Sequence, residues 1–360
     1  MVIVNYTLDP PGEDRRPAVP QIDVIAVVGP RAPERVRCAK RVAERSGRAF
    51  IPATRLAPAV DPIEEALDLV PWTTPSGGAV VEFPAATSVI DLIGALTDPF
   101  APTRLLAVVC VVDAEHLAAD LADEEYVTRA VGGGEVEHTA RAWLTVTQLE
   151  HATTIVLANA DRVPAAQRDA LLGLLGVIAP SARLHPADAD SPVAVPLDTG
   201  VMGAAQGRAG WTRALSGDAI RPVGGGVSAF RYENLRPLHP WRLHLLLDDR
   251  FASGEFGMIV RSAGFCRLAS RPGVVAQWEQ VGGMFDLVPV ADAVRPDDED
   301  ELLAVGQDLF VAGLGLHRAA LTAALDEVAL SDDELLAGVA AWRTYPDPFP
   351  DWLVPGGSDR

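Results

Sequence analysis

Apolar runs separated by helical stretches mark the first half of the chain. Ile22 to Val28 is apolar except for Asp23 and ends at Gly29, which predicts a buried parallel strand. Glu34 to Ser46 follows with helical spacing and an Arg-bearing face, and Gly47 stands where the helix should stop. Ala79 to Phe83 is a second apolar run, and Val89 to Leu96 reads as a helix. Leu105 to Val112 is the strongest buried strand of the chain, followed by helical stretches at Ala114 to Ala122 and Ala140 to Ala152. Thr154 to Leu157 is another strand and Gln167 to Ile178 another helix. This alternation predicts an α/β domain of the P-loop-NTPase-like class, a parallel sheet with helices on both faces.

From Pro186 to Gly226 periodicity fades into Gly, Pro, Ala and Ser, which reads as a linker. Beyond it the pattern is α+β. Strands are predicted at Val227 to Tyr232, Gly257 to Leu268, Val274 to Val290 (interrupted by a Gly282-Gly283 turn) and Leu309 to Ala312, with helices at Pro240 to Arg250 and His317 to Leu325. Asp297 to Glu301 is an acidic run read as a solvated loop. The stretch Trp342 to Trp352 is rich in Pro and aromatic residues, and should be extended and packed on, or offered to, another surface. The resulting division is an N-terminal arm (1–20), an α/β domain (21–186), a linker (187–226), an α+β domain (227–336) and a tail (337–360).

Composition narrows the classes. Hydrophobic residues at 49% of 360 allow two cores, and aromatics at 6% require them to be built from aliphatic side chains. A net charge of −19 repels phosphate backbones and argues against general nucleic-acid binding. Lys40 is the only lysine; with the abundance of Ala, Val, Gly and Pro this points to GC-rich coding, as in an actinobacterium. Cys38, Cys110 and Cys266 are widely separated, so no disulfide framework or Cys-x-x-Cys site is visible. No run approaches a membrane span and Met1 to Pro20 lacks a signal-type apolar core, so no membrane association is expected and the cytoplasm is the default compartment.

A strand, a Gly and a helix are the setting of a phosphate-binding loop, whose chemistry needs G-x-x-x-x-G-K-[ST]. Counting from Gly29, the second Gly position holds Glu34, the Lys position Arg35 and the Ser/Thr position Val36. Pro30 and Pro33 lie inside the loop and have no N–H to donate. Lys40 comes more than a turn too late. The loop should therefore not cradle a triphosphate.

Several segments nevertheless resemble the CobW-type GTPases. Val111-Val112-Asp113-Ala114 looks like a strand end of that family, and Gln148 to Ala152 followed by Ile155-Val156-Leu157 resembles the approach to its guanine-reading Asn-Lys-x-Asp. Here the stretch is Ala158-Asn159-Ala160-Asp161, so Asp161 alone is in register, and Asn159 is one place late. Pro71 to Gly78 lacks the cysteines of the family's Cys-x-Cys-Cys zinc motif. In the second half, Ala229-Phe230-Arg231, Arg236-Pro237-Leu238-His239-Pro240-x-Arg242-Leu243-His244, Ile259 to Phe265, Trp278 and Gly282-Gly283 resemble the CobW C-terminal domain over 227 to 335. The segment Leu330 to Glu334 and the aromatic tail are similar to actinobacterial CobW-like proteins that recruit a ribosome hibernation factor under zinc limitation.

The resemblance implies a non-hydrolysing adaptor or regulator in zinc homeostasis, a pseudo-GTPase whose protein partner is the ribosome or a hibernation factor; the alternative is a divergent GTP-dependent zinc metallochaperone. No catalytic residue, metal ligand or cofactor is expected, with Gly29 and Asp161 the remnants of a GTP site. Partner contact is expected at Arg236, Arg242, Arg261, Trp342, Tyr345, Phe349 and Trp352. Residues 227–271 carry seven Arg against four acidic residues, a local excess of three positive charges, read either as coding bias on a solvated face or as an RNA- or ribosome-facing patch. His239 and His244 lie at i and i+5 with Pro240 between, off the spacing that puts two imidazoles on one helix face; His239 is read as helping to cap the following helix. Cys38, beside Arg37 and Arg41, is either a favoured thiolate or a plain buried thiol.

Overall fold

The computed structural model describes residues 21–130, 136–188, 209–220, 224–290 and 306–352. The N-terminal arm, most of the linker and the acidic run at 297–301 lie outside these. The first domain is a six-stranded, wholly parallel sheet. Its strands are β1 (Ile22–Val28), β2 (Ala49–Ile51), β3 (Ala79–Glu82), β4 (Thr103–Asp113), β7 (Thr154–Ala158) and β8 (Arg183–Ala187), in the order β2-β3-β1-β4-β7-β8.

Alternate residues of β1 enter two different cores, as the period of a strand requires. Ile25 and Val27 pack with Cys38, Ala39, Val42 and Ala43 of α1 (Ala32–Ser46) on one face. Val24, Ala26 and Val28 pack on the other face, which is covered by α4 (Val89–Leu96), α6 (Arg141–Glu150) and α7 (Ala165–Ile178). The helix α1 stops where the sequence placed its end, with Gly47 in the left-handed region at φ +66°.

Elements not read from the sequence are short or polar. Strand β2 has three residues, and the edge strand β8 contains Pro186, which an edge tolerates. Two short helices, α2 (Ala53–Leu56) and α3 (Pro62–Leu69), fill the stretch before β3. The hairpin β5 (Tyr126–Ala130) and β6 (Val136–Ala140) lies outside the main sheet, and the helix expected over Ala114 to Ala122 contracts to α5 (Leu117–Asp120).

The described part of the expected linker is not a spacer. Residues 210–215 form α8 (Gly210–Leu215), which packs with Gly210 and Ala214 buried. A Cβ on Gly210 would stand 1.9 Å from the Val177 carbonyl oxygen, so only glycine permits this approach.

The second domain is a five-stranded antiparallel sheet in the order β12-β11-β10-β13-β9. These are β9 (Val227–Asn234), β10 (Met258–Cys266), β11 (Ala276–Val281), β12 (Met284–Pro289) and β13 (Gln307–Leu314). On β13, Leu309 and Val311 face α9 (Pro240–Leu245) and α10 (Arg318–Val328), whereas Phe310 and Ala312 join the core of the first domain. The helix α9 continues as a π-helical turn, Leu246–Phe251. After α10, α11 (Asp332–Trp342) begins on a Ser331–Glu334 capping box and bends at Gly338, φ +77°. No helix among the described residues is long and apolar enough to cross a membrane.

Candidate functional site

In an open parallel sheet the crevice lies where neighbouring strands send their connections to opposite sides. Here that point is between β1 and β4, since the chain leaves β1 towards β2 and β3 and later returns to β4. A cavity of about 710 Å³ occupies it, lined by the bend Pro30 to Glu34, by Pro84 to Ala86, and by Asp113 and Asn159 at the ends of β4 and β7.

The bend offers few donors. The helix α1 starts with Arg31 as N-cap, makes no side-chain cap and carries Pro33 at its second position, so its N-terminus lacks a donor that a phosphate would use. Arg35, which stands at the lysine position, turns inward. Its Nε donates to Glu82 Oε1 at 3.1 Å and its Nη1 to the Gly29 carbonyl at 2.6 Å, with both side chains about 5% exposed. Burial draws the Arg35 guanidinium down, and the Glu82 carboxylate opposes that shift. Glu82 also accepts from the Ala53 N–H, so it is fully engaged.

The wall of the cavity carries five carboxylates (Glu34, Asp113, Glu115, Asp120, Asp123) against three arginines (Arg31, Arg141, Arg162). Each arginine is already paired: Arg31 with Asp120 at 2.7 Å, Arg141 with Glu125 at 3.4 Å, and Arg162 with Glu115 at 3.5 Å. Counted formally the lining is net acidic, and none of its three guanidiniums is left unpaired to meet a phosphate. Asp113 is 2% exposed. Burial pushes its carboxyl up, but hydrogen bonds from Asn159 and His116 and from the Glu115 N–H hold it below the usual range. It is therefore an anion at neutral pH.

The sequence-derived site residues separate here. Gly29 sits at the bend with φ +145°, and a Cβ there would lie 2.1 Å from the Val111 carbonyl oxygen. Its conformation and its closeness to β4 thus account for the glycine without a nucleotide. Asp161 is exposed on the turn after β7 and does not line the cavity. Asn159 instead enters it, holding φ +55° and donating to Asp113 at 2.8 Å. Glu82 was missed in the sequence. The signal was a lone carboxylate in an otherwise apolar run, which a buried strand carries only with a partner.

The residues expected to meet a partner meet the chain itself. Arg261 is corrected outright: it is 2% exposed and bonds to Glu150 of α6 and Glu279 of β11, joining the two domains. Burial opposes its charge, and the two carboxylates override burial and keep it protonated. Arg236 bonds to Asp332 and the Leu330 carbonyl, and Arg242 to Glu334 and the Ala329 carbonyl. The local arginine excess is thereby spent on internal ion pairs, which also include Arg231–Asp308, Arg250–Glu255 and Arg271–Asp347. Trp342 donates from Nε1 to the Glu334 carbonyl at 2.6 Å. Tyr345, Phe349 and Trp352 lie against the second domain, through His239, Phe285 and the Leu287 carbonyl respectively.

His239 is the N-cap residue of α9 but makes no side-chain cap; its ring stacks on Tyr345 with centroids 4.6 Å apart. Cys38 is buried, and burial pushes its thiol up to about 12 against the pull of Arg41, which favours the plain buried thiol of the two readings. No group of three or more His, Cys, Asp or Glu side chains that could hold a metal occurs among the described residues.

One pH response follows from the α9–α11 contact. Hydrogen bonding from Arg242, against burial and helped by the Ser331 cap, holds the Glu334 carboxyl at about 2. A carboxyl depressed in the folded chain stabilises it fully above its unfolded value near 4.5, and that contribution is lost as pH falls towards 2. Amide exchange of α11 should therefore rise relative to β10 between those values, and Glu334→Gln should remove the dependence. An unchanged profile in Glu334→Gln would refute the assignment.

The fold and cleft define a class: a six-stranded parallel α/β domain with a crevice at its switch point, fused through a buried interface to a smaller α+β domain. Residues 227–329 match the family described as the cobalamin synthesis protein cobW C-terminal domain, so this part of the chain is that domain. It is 25% identical over 288 residues to zinc-regulated GTPase metalloprotein activator 1 of Dictyostelium discoideum, covering 74% of this chain and 60% of that protein. It is 29% identical over 164 residues to a zinc chaperone of Mycobacterium tuberculosis, covering 39% of each. The chain thus spans less than two thirds of these relatives. The Zn(II)-bound YjiA GTPase of E. coli aligns with 86% of the chain and 99% of its own at 12% identity, with a TM-score of 0.34.

Proposed function

We propose that this chain is a non-hydrolysing CobW-like adaptor or regulator of zinc homeostasis, working by binding a protein partner in the cytoplasm. In its sharper form the proposal is that it recruits a ribosome hibernation factor to the small ribosomal subunit under zinc limitation. The observation that carries the binding role is the bend at the end of β1. Two prolines remove donors, Arg35 is spent on Glu82, and the surrounding wall is net acidic. The zinc connection is supported by the names of the two relatives. The sharper form is supported by the resemblance of the tail.

The second reading, a divergent GTP-dependent zinc metallochaperone, is favoured by the same names and by a cleft of nucleotide size at the switch point. Calorimetric titration with magnesium and GTP separates the two. The adaptor reading expects no heat of binding up to roughly millimolar nucleotide and no phosphate release. Binding at roughly micromolar concentration with turnover would establish the metallochaperone reading in its place. A tagged pull-down from zinc-starved cells tests the sharper form; it should recover small-subunit proteins together with a hibernation factor, and recovery of neither defeats it.

A further inference from the structure

The tail after α11 lies on the second domain in the manner of a bound peptide. It pairs with no strand of the sheet. Pro346, Pro348 and Pro350 alternate with the half-buried Asp347 and Phe349, and every proline points outward. Such spacing pre-extends the backbone, so little ordering entropy is lost when it docks. No residue from Arg343 to Trp352 is fully buried, so the tail rests on a core already closed beneath it. Trp278, 1% exposed and packed edge-on against Phe285, belongs to that core.

One guanidinium reads most of the segment. Arg271 donates from Nε to Asp347 Oδ2 at 2.8 Å, from Nη2 to the Phe349 carbonyl at 2.8 Å and from Nη1 to the Pro350 carbonyl at 2.8 Å. Its Cζ lies 4.2 Å from the centroid of the Trp352 ring. Ser270 adds a hydroxyl donor to Asp347, and the Trp352 Nε1 donates to the Leu287 carbonyl at 3.0 Å. Phe349 enters the mouth of a cavity of about 1160 Å³ between Phe285 and His244. Main-chain carbonyls, a carboxylate and two rings are thus each met by a dedicated group, which is the anatomy of a peptide-recognition groove.

We infer that this groove, running from Arg271 and Ser270 past Leu287 to the Phe285 cavity, is a peptide-binding site for extended Asp-Pro-aromatic segments. The chain's own tail is its resident and exchangeable ligand. The partner it fits is a protein presenting an acidic residue two places before an aromatic ring, with prolines between and after. The inference stands independently of whether the first domain binds nucleotide.

The test uses the full chain carrying Asp347→Ala, Phe349→Ala and Trp352→Ala, which vacates the groove, and a fluorescent peptide of residues 343–352 as probe. The vacated chain should bind the peptide at least about tenfold more tightly than the wild type, whose tail competes, and adding Arg271→Gln should remove roughly tenfold. Equal binding by vacated and wild-type chains, with matching circular dichroism, would overturn the inference. Should the triple variant not fold, Arg271→Gln alone should shift Trp352 emission to the red and admit protease into the tail; an unshifted, protected tail overturns it equally. Wild-type chains that dimerise by exchanging tails, seen by sedimentation, would make a second copy the occupant and defeat the assignment to a different partner.

Discussion

Arg261→Leu should destabilise the chain by ~3–5 kcal/mol, because it leaves two carboxylates uncompensated in the interior. Glu150 and Glu279 are 4% and 7% exposed and both bond to this one guanidinium. Two carboxyls share this one guanidinium, and burial pushes the Glu150 carboxyl up against its pull. Gln277 adds a second donor to Glu279. Without Arg261, the carboxylates must take up protons or admit water, and each route opens the contact between α6 and the sheet of the second domain. Urea unfolding of the full chain should show the loss. Combining Arg261→Leu with Glu150→Leu and Glu279→Met should recover most of it, since an apolar replacement of a buried ion group is often neutral or better. A single-variant loss under about 1 kcal/mol would mean that water already reaches the trio.

Gly29→Ala is expected to cost ~3 kcal/mol or more, by a different mechanism. The residue holds φ +145°, which L side chains rarely adopt, and the added methyl would meet the Val111 carbonyl at 2.1 Å. That carbonyl belongs to the central strand β4, so neither neighbour can yield without breaking the β1–β4 ladder. Gly94→Ala, on α4 with nothing within 4 Å of the added methyl, is the control and should stabilise by ~0.5–1 kcal/mol. Parallel urea titrations compare them. If both substitutions prove equally mild, the glycine at the bend owes its place to something other than backbone geometry.

The two-domain architecture was legible because strongly apolar runs such as Leu105 to Val112 have only one way to be buried on both sides. The shortage of donors at the bend was legible as well, because Pro30 and Pro33 have no N–H to give in any fold. What escaped is instructive in physical terms. The β5–β6 hairpin carries polar side chains such as Thr128, His138 and Thr139, and Tyr126 is 57% exposed, so no apolar alternation announced it. The partners of Arg236 and Arg242, and the Glu150 partner of Arg261, lie 87 to 111 residues away, beyond any local pattern. Of the three arginines, Arg261 is the one the fold buries. Asp161 had the right register but the wrong side of its turn, and Asn159 took the place in the cleft by accepting a left-handed backbone that asparagine tolerates better than most residues.

The seam between the halves couples their folding. Val227, Val260, Val281, Phe310 and Ala312 from the antiparallel sheet sit in one continuous interior with α6 and α7. Gly282 presses so close to the Leu121 carbonyl that a Cβ would stand 2.6 Å from it. Severed from each other, each half would present a large oily face to water, so the recognisable family module at the C-terminal end is a unit of descent and not a unit of melting.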